Sequence, residues 1–293
     1  MDPDYVKLKD IKPALAGYIR DAQSMLNLSS SPDDKVVHDV RVLMKKSRAV
    51  MRLITSQTEA ETFQREYDAL REVGRVMSSW RETSVHRKTL KYLKKENPEV
   101  FSMLQENEIL SDLMKKTEPA VKPPDNMKAD LEKINDLLSK SGYRIRFQNM
   151  NNLDPRILLK ELEKAYNNVI DNYLICRNNP KATNLHEFRK RAKDFLYQLY
   201  FFRPLNPSVV KSLEKKLDTL TQNLGNYNDL SQLIKTLGYK YNDSSNLPAM
   251  DELIVIIRDK QDRYLSKVWP SAYKIFCPGQ KLVNVLGFRL LVI

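Results

Sequence analysis

The chain has 293 residues, 42% of them hydrophobic, with 49 Lys and Arg against 37 Asp and Glu, a formal net charge of +12. Its seven glycines are too few for a Gly-rich phosphate loop or for many tight β turns. Two cysteines, Cys176 and Cys277, make neither a disulfide framework nor a cysteine metal site. The excess of cations attracts anionic partners: nucleic acid, an anionic membrane surface or another polyphosphorylated polymer. The opening MDPDYVKLKDIK lacks the basic-then-apolar order of a signal peptide. No apolar run is long enough to span a bilayer, so the expected location is the cytoplasm, with the thiols reduced.

Leu, Lys, Glu, Arg and Met recur throughout and lose little rotamer freedom in helices, so the expected fold class is all-α. The first helix is expected over about Val6–Leu28, ended by the break Ser29-Ser30-Ser31-Pro32-Asp33. A second carries His38 through Ile54, a third runs over Glu59–Trp80 and a fourth over Val85–Lys95. Thr117–Asp125, with three prolines, reads as a linker. A helix is expected over Asp130–Ser139, while Arg144–Phe147 is compatible with extended chain. Helices then follow over Pro155–Arg177 and Asn184–Phe202, the latter stopped by Pro204 and Pro207. Two shorter ones are expected over Ser208–Leu224 and Leu230–Leu237. The apolar tail Gln280–Ile293 is expected to dock on the core.

Two of the three histidines open the same motif. His38 begins HDVRVLMKK and His186 begins HEFRKRAKD, an offset of 186 − 38 = 148. At that offset Tyr18 meets Tyr166, Leu26 meets Leu174, Arg41 meets Arg189 and Lys45 meets Lys193. After a one-residue slip Leu70 meets Leu217, Met77-Ser78 meets Leu224-Gly225, and Arg81-Glu82 meets Asn228-Asp229. So long a period means two domain-sized halves, 1–150 and 151–293, and not a solenoid of short repeats.

On a helix of about 100° per residue, His38, Arg41, Lys45, Arg48 and Arg52 share a stripe about 80° wide. Apolar residues flank it, and no acidic residue occurs from Val40 to Thr58. Like charges on adjacent turns repel, which suits an anion or an acidic surface opposite the stripe. In the second half His186, Arg189, Lys193, Tyr197 and Tyr200 share the matching face, with Lys190 and Arg191 further round. Tyrosines there can donate hydrogen bonds while packing their rings. Each of His38 and His186 lies one turn before a stripe arginine; His86 lacks that setting and reads as incidental.

The segments VHDVRVLMKKSRAVMRLI (Val37–Ile54) and LHEFRKRAKDFLYQLYFF (Leu185–Phe202) resemble the CHAD family, the conserved-histidine α-helical domain. So do the small-residue steps Ser78–Glu82 and Gly225–Asp229 after the next helix. The resemblance implies two helical bundles about a pseudo-two-fold axis, a basic central groove, and binding of inorganic polyphosphate. Carried over, the groove residues are His38, Arg41, Lys45, Arg48 and Arg52 from one half. His186, Arg189, Lys190 and Lys193 come from the other, and Tyr197 joins them from the face described above. Glu82 replaces the family's usual Asp, Lys46 corresponds to Asp194, and Leu196 stands where a basic residue would mirror Arg48. These departures imply weaker phosphate holding by the second half.

The expectation is therefore a binder of polyphosphate or a similar polyanion, not an enzyme, with no cofactor and no metal. Association with polyphosphate granules is a corollary. A nucleic-acid binder needs stacking aromatics among the cations, and only Tyr197 and Tyr200 qualify. An enzyme finds no Gly-rich nucleotide lid, no Glu-x-Glu-x-Lys signature and no His/Asp/Glu cluster at ligand spacing. A scaffold whose basic groove takes an acidic protein is the remaining alternative.

Overall fold

A computed structural model describes residues 8–28, 32–104, 126–150, 152–241 and 247–287. Helix α1 spans Ile11–Asn27, α2 Asp34–Leu53, α3 Ala60–Val76, α4 Ser78–Glu96 and α5 Pro98–Met103. Then come α6 (Met127–Phe147), α7 (Pro155–Asn178), α8 (Ala182–Leu199), α9 (Pro207–Tyr241), α10 (Leu247–Phe276) and the short α11 (Leu282–Val285). Single 3₁₀ turns, Thr55–Gln57 and Tyr200–Phe202, follow α2 and α8. No strand occurs among the described residues, so the all-α expectation holds.

Local chemistry starts the two motif-bearing helices differently. The Asp33 carboxylate caps α2, accepting from the backbone N–H groups of Lys35 (2.9 Å) and Val36 (2.8 Å). Asp34 in its first turn and Arg52 in its last complement the helix dipole. No side chain caps α8; Leu185, Phe188, Ala192, Phe195 and Leu199 give it a buried stripe at helical spacing. Packing therefore holds α8 where capping helps hold α2.

Helices α1, α2, α3 and α6 touch in a closed ring, and α7, α8, α9 and α10 form a second ring. The rings meet through α2, which touches α7 and α8. One cluster of buried side chains contains residues from both sides of position 150, from Ile11 through Ile145 to Leu286. Its aromatic centre is Tyr166, Phe188, Phe195 and Phe276, with ring centroids 5.5–6.5 Å apart. The Tyr166 hydroxyl donates to the Ile275 carbonyl at 2.7 Å. A second cluster joins Leu90 and Leu93 of α4 and Phe101 of α5 to Leu233 of α9 and Leu253 of α10. The first cluster thus joins the two rings, and the second seats α4 and α5 on the second ring.

Several boundaries differ from the sequence reading, and burial explains each. The expected helices Ser208–Leu224 and Leu230–Leu237 are one continuous helix, α9. Leu224, Leu230, Leu233 and Leu237 all stay buried at helical spacing, which outweighs the weak helix preference of Gly225, Asn226 and Asn228. Arg144–Phe147 is helical, not extended: Ser141 and Ile145 are buried on α6 and Arg144 reaches Glu66. In the first half the chain does break, at Met77. The tail docks as far as it is described. Leu282 and Leu286 are buried, and Asn206 Nδ2 donates to the Leu286 carbonyl at 3.1 Å. Ser29–Ser31, the linker Thr117–Asp125, residues 288–293 and the side chains of Arg81 and Glu82 lie outside the described residues.

Candidate polyanion site

The α2 stripe lies along α3. Arg41 Nη1 donates to the Gly74 carbonyl, one of the last carbonyls of α3, which lack intrahelical partners. Arg52 donates through Nη2 to the Tyr67 hydroxyl, and its guanidinium lies 5.0 Å from that ring centroid. His38 is exposed at the start of the stripe, and Lys45 is half-buried within it.

The α8 stripe lies along α9. Arg189 Nε donates to the Thr221 carbonyl at 3.1 Å, and His186 Nδ1 shares a hydrogen bond with Asn228 Oδ1 at 3.2 Å. Lys193 meets Asp218 at 2.9 Å and lies over the Tyr197 ring. Lys190 is exposed and pairs with Glu187 at 3.0 Å. Donors Arg41 and Arg189 are 189 − 41 = 148 residues apart, and their acceptors are 221 − 74 = 147 apart. The one-residue slip in the sequence repeat reappears in this pair of bonds.

Thr221 lies inside a continuous helix, and the Arg189 guanidinium reaches its carbonyl by passing close over Gly225, one turn on. A Cβ there would stand 3.1 Å from both Nε and Nη2 of Arg189. At Gly74 a Cβ would meet nothing within 4 Å. Gly74→Ala is therefore expected to stabilise the chain by about 0.5–1 kcal/mol through helix preference alone. Gly225→Ala should show no such gain, because the guanidinium must shift. Urea denaturation of both variants checks the pair; equal gains would mean that Arg189 is not held over Gly225.

The two stripes approach each other where α2 meets α8, around Asp194. Its Oδ1 is 3.0 Å from Arg52 Nη1. Burial pushes the Asp194 carboxyl up, while the charges of Arg52, Arg191, Arg48 and Lys190 pull it down. Gln198 Nε2 donates to the Ala49 carbonyl at 3.0 Å and pins the two helices together. Arg48 is half-buried here and makes no hydrogen bond or ion pair with a described residue; its Nε is buried without a partner. Burial lowers its pKa first; the Tyr67 side chain offsets this in part, and the Arg52 charge adds to it.

Arg48, Arg52 and Lys190 thus gather around one carboxylate. Arg41 sits further along α3, and His186, Arg189, Lys193 and Tyr197 sit along α9. The expectation of stripes without internal counter-charges needs correction. Asp194 takes Arg52, Asp218 takes Lys193 and Glu187 takes Lys190. The first two carboxylates come from other helices, so the acid-free run Val40–Thr58 gave no sign of them. Tyr197 is half-buried, and burial pushes its phenol up to about 12, which keeps the hydroxyl as a donor. His86 is buried on α4.

Beside this region a cleft of about 640 Å³ opens between α1–α2 and α8–α9. Lys46, Lys211 and Lys215 line it, with Tyr18, Tyr197 and Tyr200. The sequence reading places none of these lysines in the site, and names Lys46 only as the counterpart of Asp194. Lys211 and Lys215 stand at i,i+4 spacing on one face of α9, a signal that was there to be read. Among the described residues, no group of three His, Cys, Asp or Glu side chains could hold a metal ion. No described helix is long and apolar enough to cross a membrane.

These features define an all-helical protein whose guanidinium and ammonium groups line its paired histidine helices, a chemistry suited to anions. The chain belongs to the CHAD family: the model of the CHAD domain matches residues 14–238. No curated protein sequence matches it.

Proposed function

We propose that the chain binds inorganic polyphosphate, or a polyanion of the same kind, in a cationic groove between two related helical halves, without turning it over. Membership of the CHAD family, which is linked to polyphosphate binding, supports the ligand class. The matching bonds from Arg41 and Arg189 support the reading of two duplicated halves about a pseudo-two-fold axis. One observation carries the proposal furthest: Arg48, half-buried and beside Arg52, has no carboxylate or carbonyl of its own among the described residues. An unpaired cation in a low-dielectric setting costs stability unless a ligand anion reaches it.

In this reading arginine forks grip phosphate oxygens, and lysines add point charges. Neutralising several phosphates releases counterions, so affinity falls steeply with salt. A cytoplasmic location, in contact with polyphosphate granules, belongs to the same proposal. The test is calorimetric titration with long-chain polyphosphate at two salt concentrations. Binding at low salt that weakens by an order of magnitude or more on a severalfold rise in salt is expected. No heat at low salt would sink the proposal, and turnover of polyphosphate or a nucleoside triphosphate with a divalent metal would make the chain an enzyme.

A further inference from the structure

We propose that the cleft between α1–α2 and α8–α9 is a one-sided phosphate seat that excludes nucleobases, with Lys46, Lys211 and Lys215 as its binding cations. This rests on the polyanion reading above and adds residues outside the histidine-helix stripes. Lys46 lies about 140° round α2 from Arg41, on another face of the helix.

Charge bookkeeping favours these lysines. The carboxylates lining the cleft are Glu214 and Asp218. Glu214 is taken by Arg203 at 2.8 Å and Asp218 by Lys193 at 2.9 Å. Lys46, Lys211 and Lys215 make no ion pair or hydrogen bond with a described residue, so their charges remain uncompensated at the cleft. Lys211 and Lys215 are exposed and Lys46 is half-buried, so each ammonium is placed to meet a solvated phosphate.

The tyrosines then decide the kind of anion. Single-stranded nucleic acid gains much of its affinity by stacking bases on aromatic faces. Here cations already lie over the rings. Lys46 is 5.7 Å from the Tyr18 centroid, Lys193 is 5.8 Å from Tyr197, and Lys9 and Arg203 are 4.0 and 4.8 Å from Tyr200. Cation–π contacts of this kind hold the charges in place. Burial raises the phenols of Tyr18 and Tyr197, so both hydroxyls stay protonated and able to donate. The surface offers ammonium groups and hydroxyls and withholds stacking platforms. That favours a ring-free phosphate chain.

The seat is one-sided because none of the corresponding positions of the other half is cationic, and two of the three are acidic. With the offsets above, Lys46 corresponds to Asp194 (46 + 148), Lys211 to Gln64 (211 − 147) and Lys215 to Asp68 (215 − 147). Gln64 Nε2 donates to Asp68 at 2.6 Å, and Asp194 holds Arg52.

The experiment compares the wild-type full chain with a variant carrying Lys46→Gln, Lys211→Gln and Lys215→Gln together, and with the Lys→Arg triple. Each is titrated with long-chain polyphosphate and with oligo-dT of equal charge, across salt. For the Gln triple, polyphosphate affinity is expected to fall on the order of tenfold, and the slope of log K against log salt to shrink by about 2. The Arg triple should retain binding, which separates lost charge from lost fold. Wild-type chain should prefer polyphosphate to oligo-dT by at least about tenfold, since the stacking contribution is missing. If the wild type binds polyphosphate and the Gln triple binds it equally well, the cleft assignment is overturned while the polyanion reading stands. Equal affinity for oligo-dT overturns base exclusion. Failure of the wild type to bind polyphosphate overturns the polyanion reading itself.

Discussion

Glu66→Ala is expected to destabilise the chain by about 3 kcal/mol, the low end for breaking a buried ion pair. Glu66 of α3 is fully buried. Its carboxylate accepts from Ser141 Oγ at 2.6 Å, from Arg144 Nη2 at 3.1 Å and from Arg65 Nε at 3.1 Å. Ser141 and Arg144 belong to α6, so this one side chain ties α3 to α6 and closes the first helix ring. Alanine would leave the buried Ser141 hydroxyl and the half-buried Arg144 guanidinium without their acceptor. For a chain of this size the loss corresponds to a fall of roughly 5 °C in Tm.

The same carboxylate makes the effect pH-dependent. Burial pushes the Glu66 acid up, but hydrogen bonds from Arg144, Ser141 and Arg65 outweigh it and hold the acid below the ordinary glutamate range. A depressed folded pKa contributes stability above the unfolded value, about 4.3, and that stability is lost as pH falls through the folded value. Glu66→Gln should therefore be less stable than wild type at pH 7, and the gap should narrow below about pH 4. Urea unfolding at both pH values checks this. A gap that does not narrow would mean that shape, not ionisation, matters at this position.

Much of the fold is legible in the amino-acid sequence. Helices α2, α7 and α8 fell within a few residues of their expected bounds. Their apolar spacing is regular, and Pro32-Asp33 and Asn179-Pro180 punctuate them. What local sequence could not supply was tertiary. Gly225, Asn226 and Asn228 read as a turn, yet burial of the flanking leucines carries α9 straight through. The stripe residues are legible as cations, but the counter-charges of Arg52 and Lys193 sit on other helices. Asp194 was noticed only as a mismatch with Lys46, and nothing local said that it would meet Arg52. The cleft is tertiary too: Lys211 and Lys215 share a helix face, but Lys46 is far from them in the chain and joins them through helix packing.

Arg48 gives the sharpest separation between holding the fold and holding a ligand. Arg48→Met is expected to raise stability by about 1–2 kcal/mol while weakening polyphosphate binding by about tenfold. Methionine keeps the unbranched stem and fills the same space, but it removes a buried Nε that has no partner. Burial already lowers the pKa of this guanidinium, and the charges of Arg52 and Arg71 act in the same direction. Tyr67 and Asp194 oppose them only in part, and Asp194 keeps its 3.0 Å contact with Arg52 in the variant. An arginine retained for the fold would show the reverse, a loss of stability on replacement. Urea titration and polyphosphate calorimetry on one preparation decide the matter. Higher stability with weaker binding assigns Arg48 to the ligand. Lower stability with unchanged binding assigns it to the α2–α8 crossing and removes the chief support for the polyanion reading.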